Sequence, residues 1–320
     1  MNQACRISLI IPAYNEEACI ESSIQRVYRI MEATGESFEL LLIDDGSRDQ
    51  TWCKIVEQTD TLPCLKGIRL SRNFGKEHAI CAGLDAAQGD AVILLDADMQ
   101  HPPEIIPHMI QRWQESDADI IEAVKKHRGE EGLASKLFAH IFYTLMGRLS
   151  GFDFSGASDY KLLDRKAIEA WKAMDERNVF FRAMSAWIGF EREQIEFEVA
   201  DREHGESKWS KWALIGLAVK GITAFSTAPL RMIAISGLLF LLFAGVIATN
   251  TLYQYLMGEA VTGFSTVILL LLIMTSLIML ALGIIGEYIA KIYEEVKGRP
   301  RYIIAKTTTL TPDKANKQDH

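Results

Sequence analysis

The densest run of chemistry-bearing side chains is Asp96-Ala97-Asp98-Met99-Gln100-His101-Pro102-Pro103-Glu104, placed directly after the apolar run Ala91–Leu95. In an extended segment residues i and i+2 point the same way, so Asp96 and Asp98 would share one cation, with Gln100 next in the set. Oxygen-only ligands suit Mg²⁺ or Mn²⁺, and a carboxylate pair leaves coordination positions open for phosphate oxygens. Two acidic residues in a loop also occur as an ordinary solvated turn. Here their place at the end of an apolar run favours the metal reading. His101 alone reads as structural, and the two prolines after it suit the end of a loop and the first turn of a helix. Three further polar clusters follow apolar runs in the same way: Asn15-Glu16-Glu17, Asp44-Asp45-Gly46-Ser47 and Ser71-Arg72-Asn73.

These clusters need a frame that brings them together. Short apolar runs occur at Ile7–Ile11, Leu40–Ile43, Ile68–Leu70, Val92–Leu95 and Ile120–Val124, with helix-like stretches between them at Ala18–Met31, Thr51–Gln58, Glu77–Ala87 and Pro103–Gln114. Continuous apolar runs suit strands buried on both faces, and strand–helix alternation suits a parallel sheet. The expected fold is therefore α/β, a doubly wound, mostly parallel sheet, in which ligands sit beyond the carboxyl ends of the strands. All four polar clusters fall there.

After Val124 the rhythm breaks. Leu133–Leu149 and Trp209–Thr223 carry apolar residues at helical spacing flanked by Lys and Arg, a pattern of helices that lie in a lipid interface or cover the sheet. From Met232 to Leu256 and from Ala260 to Gly286 no residue is charged, runs of 25 and 27 residues. At ~1.5 Å per residue each exceeds the roughly 30 Å hydrocarbon core of a bilayer. No Lys or Arg lies between Arg231 and Lys291, while basic residues flank both sides. The positive-inside rule then predicts a membrane hairpin with both ends in the cytosol. Gly237, Gly245, Gly283 and Gly286 would let the two spans pack closely. The expected divisions are a cytosolic catalytic domain at 1–207, a juxtamembrane region at 208–231, two spans at about 232–256 and 264–288 within 232–290, and a cytosolic tail at 291–320. From Thr307 onward that tail reads as polar and disordered.

Over the 320 residues, 34 Lys and Arg against 42 Asp and Glu give a net charge of −8, which argues against a nucleic-acid binder. The five cysteines (Cys5, Cys19, Cys53, Cys64, Cys81) show no C-x-x-C spacing and read as buried reduced thiols. The N-terminus, MNQACRISLIIPAYNEE, has too short an apolar run for a signal peptide.

Pro12–Glu17 (PAYNEE), Ile43–Thr51 (IDDGSRDQT), Leu70–Glu77 (LSRNFGKE), Asp96–Glu104 and Arg202–Ser210 (REHGESKWS) occur together and in order. This set resembles the family 2 inverting glycosyltransferases of the GT-A fold, in the branch that loads polyprenyl phosphates. The layout over about residues 6–305 is similar to bactoprenol glucosyltransferases, and related to dolichol-phosphate mannose synthases. The resemblance implies a GT-A-type Rossmann-like sheet, a nucleotide-sugar donor, undecaprenyl phosphate as acceptor and a location in the bacterial inner membrane, with homo-oligomers possible. By the same resemblance Pro12, Tyr14 and Glu16 line the nucleotide with Asp45. Asp44 either orients the turn or touches ligand. Asp96, Asp98 and Gln100 hold the metal. Arg202 and Lys208, in a Gly205-containing lid, clamp phosphates. Arg72 and Lys76 serve the donor or face solvent, Arg128 and Lys136 meet the acceptor phosphate, and Asp159 sits near the reacting carbon or caps a helix or turn.

UDP-glucose is the first choice of donor, with UDP-N-acetyl sugars, UDP-4-amino-arabinose derivatives and GDP-mannose as alternatives. A processive polysaccharide synthase is a weaker reading, because no Q-x-x-R-W motif precedes the spans. A non-catalytic membrane scaffold is weaker too, because the metal triplet stands intact beside every neighbouring motif.

Overall fold

The computed structural model describes residues 6–99, 101–125, 158–177, 179–197, 227–258 and 263–308. Gln100, Arg128, Lys136, Arg202, Gly205 and Lys208 lie outside them, as do Leu133–Leu149, Trp209–Thr223, Cys5 and the tail beyond Thr308. The chain divides into two units, one holding the sheet and one holding two long helices.

The sheet unit begins with the rhythm expected from the sequence. It runs β1 (Ile7–Ala13), α1 (Ile20–Thr34), β2 (Phe38–Asp44), α2 (Thr51–Thr61), β3 (Leu65–Leu70), α3 (Lys76–Ala86), β4 (Ala91–Leu94), a 3₁₀ turn at Pro103–Ile105, α4 (Ile106–Glu115) and β5 (Ile120–Lys125). Proline stands in the first turn at the start of this last helical stretch, as expected. Ile7, Leu9, Ile10 and Ile11 are fully buried, as are Leu40–Ile43. Each such side chain removed from water contributes about 1.5–3 kcal/mol, so continuous apolar runs settle as central strands.

The sheet continues with β6 (Lys161–Asp164), α5 (Arg165–Ala173), α6 (Phe181–Trp187) and β7 (Arg192–Phe197), and receives β8 (Ile304–Thr307) from the far end of the chain. The strand order is β7-β5-β6-β4-β1-β2-β3-β8. The pairs β1–β2, β1–β4, β2–β3 and β5–β7 are parallel, while β3–β8, β4–β6 and β5–β6 are antiparallel. The result is the mostly parallel α/β sheet expected of a GT-A-type fold. Between β6 and α6 lies a buried polar knot: Lys161 Nζ donates to Glu122 Oε1 at 2.9 Å and to Ser185 Oγ at 2.7 Å.

β8 corrects the sequence reading of the tail at its first residues. Thr307 belongs to a strand, and the Thr308 N–H donates to Gly67 O at 2.9 Å. Of the described cysteines, all are free thiols, but only Cys81 is buried and Cys53 is exposed. The expectation of buried thiols therefore holds at one position, because Cys53 falls on the outer face of α2.

The second unit holds α7 (Ala228–Leu256) and α8 (Phe264–Val296). Within them, Pro229–Gln254 and Leu270–Val296 are long and apolar enough to cross a membrane. α8 continues past the expected end of its span through Glu287, Lys291 and Glu294, since nothing in that stretch breaks a helix. A Cβ added at Gly237, Gly245, Gly283 or Gly286 would meet nothing within 4 Å, so these glycines do not mark a close helix contact.

Candidate active site

The carboxyl ends of β1, β2 and β4, with the first turn of α3, enclose a cleft of about 320 Å³. Pro12, Tyr14, Glu16, Asp45, Lys76, Asp96 and Asp98 line it, together with Asn73 and Gly75. Seven residues singled out from sequence therefore meet in one place.

Each loop is held by its neighbour. Asn15 adopts φ 56°, and its N–H donates to Ser47 Oγ at 3.0 Å while its Oδ1 accepts from the Arg48 N–H at 2.9 Å. The Glu16 N–H donates to Thr51 Oγ1 at 2.8 Å. Asp44 orients the turn: it is fully buried, accepts from the Ser47 N–H at 3.0 Å and pairs with Arg69 Nε at 3.2 Å. Gly46, at φ 68°, lets the β3–α3 loop approach, since a Cβ there would lie 2.4 Å from the Arg72 carbonyl carbon.

Asp45 lines the cleft and also builds its wall. Its two carboxylate oxygens accept from the N–H groups of Phe74 (2.7 Å) and Gly75 (2.8 Å). Burial pushes its carboxyl up, and those two N–H donors only partly offset this. Arg72 does not line the cleft. Its guanidinium lies over the Phe74 ring at 4.1 Å and donates to Asn73 O.

The acidic loop departs from the expected geometry. β4 ends at Leu94, and Ala97 and Asp98 form a turn, with Met99 at φ 51°. Asp96 and Asp98 thus reach the same cleft from a turn rather than from the alternation of an extended strand. Two carboxylates on one wall, with oxygen donors only, fit a hard divalent cation that completes its shell with phosphate or water. Among the described residues no three His, Cys, Asp or Glu side chains converge on one point. His101 packs edge-on to Phe197 and tilted against Tyr160, the structural role expected of it.

Lys76 Nζ lies 2.6 Å from Asp96 Oδ1 and 3.0 Å from Asp159 Oδ2. Burial would lower the Lys76 ammonium, but the charges of Asp159 and Asp96 outweigh it and hold it above the usual lysine range. Asp159 is not a helix cap. It accepts from Arg182 Nε at 2.7 Å and Nη2 at 2.9 Å. Burial would raise its carboxyl, yet the bonds and charge of Arg182, joined by Lys76, hold it well below the usual carboxylate range. Next to Lys76, Glu77 Oε2 accepts from the Phe181 N–H at 2.8 Å. Burial pushes the Glu77 carboxyl up to about 7 against that N–H and the nearby cations. Arg182 and Glu77 were not among the residues singled out from the sequence.

The sequence profile described as Glycosyl transferase family 2 matches residues 8–171, which include the cleft and both carboxylates. The chain belongs to this family. It is a glycosyltransferase. It is 35% identical to an uncharacterized glycosyltransferase of Bacillus subtilis, over 100% of this chain and 99% of that one. It is 36% identical to the SfII prophage-derived bactoprenol glucosyl transferase of Shigella flexneri, over 96% of this chain and 100% of the relative. Among solved structures, glucosyl-3-phosphoglycerate synthase from Mycobacterium tuberculosis in complex with UDP matches with a TM-score of 0.47 at 18% identity, over 69% of this chain and 79% of that one.

Proposed function

We propose that this glycosyltransferase moves a sugar, with UDP-glucose the first choice of donor, onto undecaprenyl phosphate at the cytosolic face of the bacterial inner membrane, inverting the sugar carbon. The observation that carries this reading is the whole-length likeness to bactoprenol glucosyl transferases, which includes both apolar helices as well as the cleft. A lipid acceptor also explains why a catalytic cleft and two membrane-length helices share one chain.

In this reading Pro12, Tyr14 and Glu16 face the nucleotide, and Asp45 fixes the loop of Asn73 and Gly75 against it. Asp96 and Asp98, with Gln100, would hold Mg²⁺ or Mn²⁺. When bound, the cation neutralises the charge gathering on the departing nucleoside diphosphate. Arg202 and Lys208 are assigned to the donor phosphates, and Arg128 and Lys136 to the acceptor phosphate. A phosphate monoester has its second pKa near ~6 and is mostly dianionic at pH 7, so the reaction has no proton that a base must remove. Asp159, held anionic between two cations, suits the orientation of Lys76 and Arg182 better than proton abstraction.

The test is to incubate the purified full-length protein with undecaprenyl phosphate, Mn²⁺ or Mg²⁺ and a panel of labelled nucleotide sugars. Labelled lipid from UDP-glucose alone supports the reading. Labelled lipid from UDP-N-acetyl sugars, UDP-4-amino-arabinose derivatives or GDP-mannose instead replaces the donor. No labelled lipid from any donor removes the acceptor assignment.

A further inference from the structure

An unbroken chain of opposite charges runs from the cleft to α6: Asp96, Lys76, Asp159, Arg182. Its geometry is specific. Arg182 takes both oxygens of Asp159, through Nε and Nη2, and the Asp159 Oδ2 it shares with Lys76 thereby has a fixed position. Asp159 is 12% exposed, so its alternatives to these two partners are few. Arg182 is itself placed by α6. The Phe181 N–H at the start of that helix is held by Glu77, and Ser185 one turn further on is held by the buried Lys161. Two neighbouring residues of α3, Lys76 and Glu77, thus clasp two neighbouring residues of α6 with Asp159 between them.

Resting on the reading of Asp96 as a cation ligand, we propose that Arg182 is a positioning residue that sets, through Asp159 and Lys76, how available Asp96 is to a divalent cation. The Lys76 ammonium, 2.6 Å from Asp96 Oδ1, competes with such a cation for the same carboxylate. Asp159 draws Lys76 the other way, and Arg182 limits that pull by neutralising Asp159. Removing Arg182 leaves Asp159 with Lys76 as its principal cation, and the ammonium moves off Asp96. Removing Asp159 releases the ammonium onto Asp96.

Mn²⁺ binding to the purified full-length protein, read from free Mn²⁺ by electron paramagnetic resonance without nucleotide or lipid, tests this. Lys76→Met is expected to tighten Mn²⁺ binding about two- to fivefold, the range for removing one partner of a partly exposed ion pair. Arg182→Met should tighten it by less than Lys76→Met, and Asp159→Asn should weaken it. Plain removal of charge would give the same signs, so the deciding measurement is the double-mutant cycle. If the effect travels through the ammonium, Arg182→Met changes nothing further once Lys76 is Met. An undiminished effect of Arg182→Met in the Lys76→Met background overturns the relay. Absence of saturable Mn²⁺ binding in the wild type and every variant overturns it as well. Should Arg182→Met fail to fold, Arg182→Gln keeps one N–H for Asp159 without the charge and enters the same cycle. Sugar transfer is assayed separately, so an inactive wild type with a non-additive cycle supports the relay while removing the proposed reaction.

Discussion

At the scale of single residues, the proposed roles divide the cleft into groups assigned to substrate or cation and groups assigned to aiming them, and the two kinds should respond differently to substitution. Asp98 is an exposed cleft residue whose carboxylate is assigned to the cation. Asp98→Asn should leave a folded, membrane-inserted protein with transfer reduced about 10²-fold or more. EDTA should mimic it, and full activity in either case defeats the assignment. Asp159→Asn should retain more activity than Asp98→Asn, with no steep rise in rate from pH 7 to 9, because a carboxyl held this low is a poor base. Glu77 allows a test of sign. Its folded pKa, about 7, lies above the ordinary 4.5, so its contribution to stability is full below pH 4.5 and is lost as pH rises through 7. Glu77→Gln keeps an acceptor for the Phe181 N–H and removes the charge. It should flatten the fall in Tm between pH 5 and 8 and stabilise the protein by on the order of 1–3 kcal/mol at pH 8. An unchanged pH slope would show that Glu77 ionises freely. The sequence revealed Asp96 and Asp98 because adjacent carboxylates after an apolar run are unusual. It could not reveal Arg182, whose partner is 23 residues away, or the Glu77–Phe181 contact, which spans 104.

At the scale of elements, legibility followed the hydrophobic pattern. β1 to β5 are marked by continuous apolar runs, and each appears within a few residues of where the pattern put it. β6 escapes because it is four residues long and begins with Lys161, a charge whose burial is tolerated only through Glu122 and Ser185. β7 alternates Arg192, Gln194 and Glu196 with other residues, and β8 is exposed along its length. β7 sends only Ile195 and Phe197 into the core, in alternation with Gln194 and Glu196, a pattern shorter than the continuous runs of β1 to β5, and β8 sends none. β8 nonetheless bears on the site. The Ser71 N–H donates to Ile303 O at 2.8 Å at the start of the loop that supplies Asn73 and Gly75 to the cleft. At the other end of the strand, Thr308 bonds Gly67 through both its backbone and its hydroxyl: its N–H donates to Gly67 O, and its Oγ1 accepts from the Gly67 N–H at 2.7 Å and donates to Gly67 O at 3.4 Å. Thr308→Pro removes these bonds and is expected to cost about 1–3 kcal/mol. Hydrogen exchange over Leu65–Gly75 should quicken and the donor KM should rise while kcat changes little. Unaltered exchange in that segment would detach β8 from the site.

At the scale of the whole molecule, the question is what a chain with a polar catalytic unit does with two helices of 29 and 33 residues on which most of the described leucines and isoleucines are exposed. In water such surfaces associate, whereas in a bilayer a helix satisfies its own backbone and needs no partner for its apolar side chains. No Lys or Arg lies between Arg231 and Lys291, so the positive-inside rule sets the expected orientation: the segment connecting the helices outside, the flanking basic residues in the cytosol. The native cysteines make this measurable in one experiment, because all five lie in the first 81 residues. Gly258→Cys, placed at the end of the turn after α7, should react with a membrane-impermeant thiol reagent in intact cells in which the outer barrier has been opened. The exposed Cys53 should react only after the inner membrane is permeabilised. Labelling of Cys53 first would invert the topology, and simultaneous labelling of both would mean that the helices do not span.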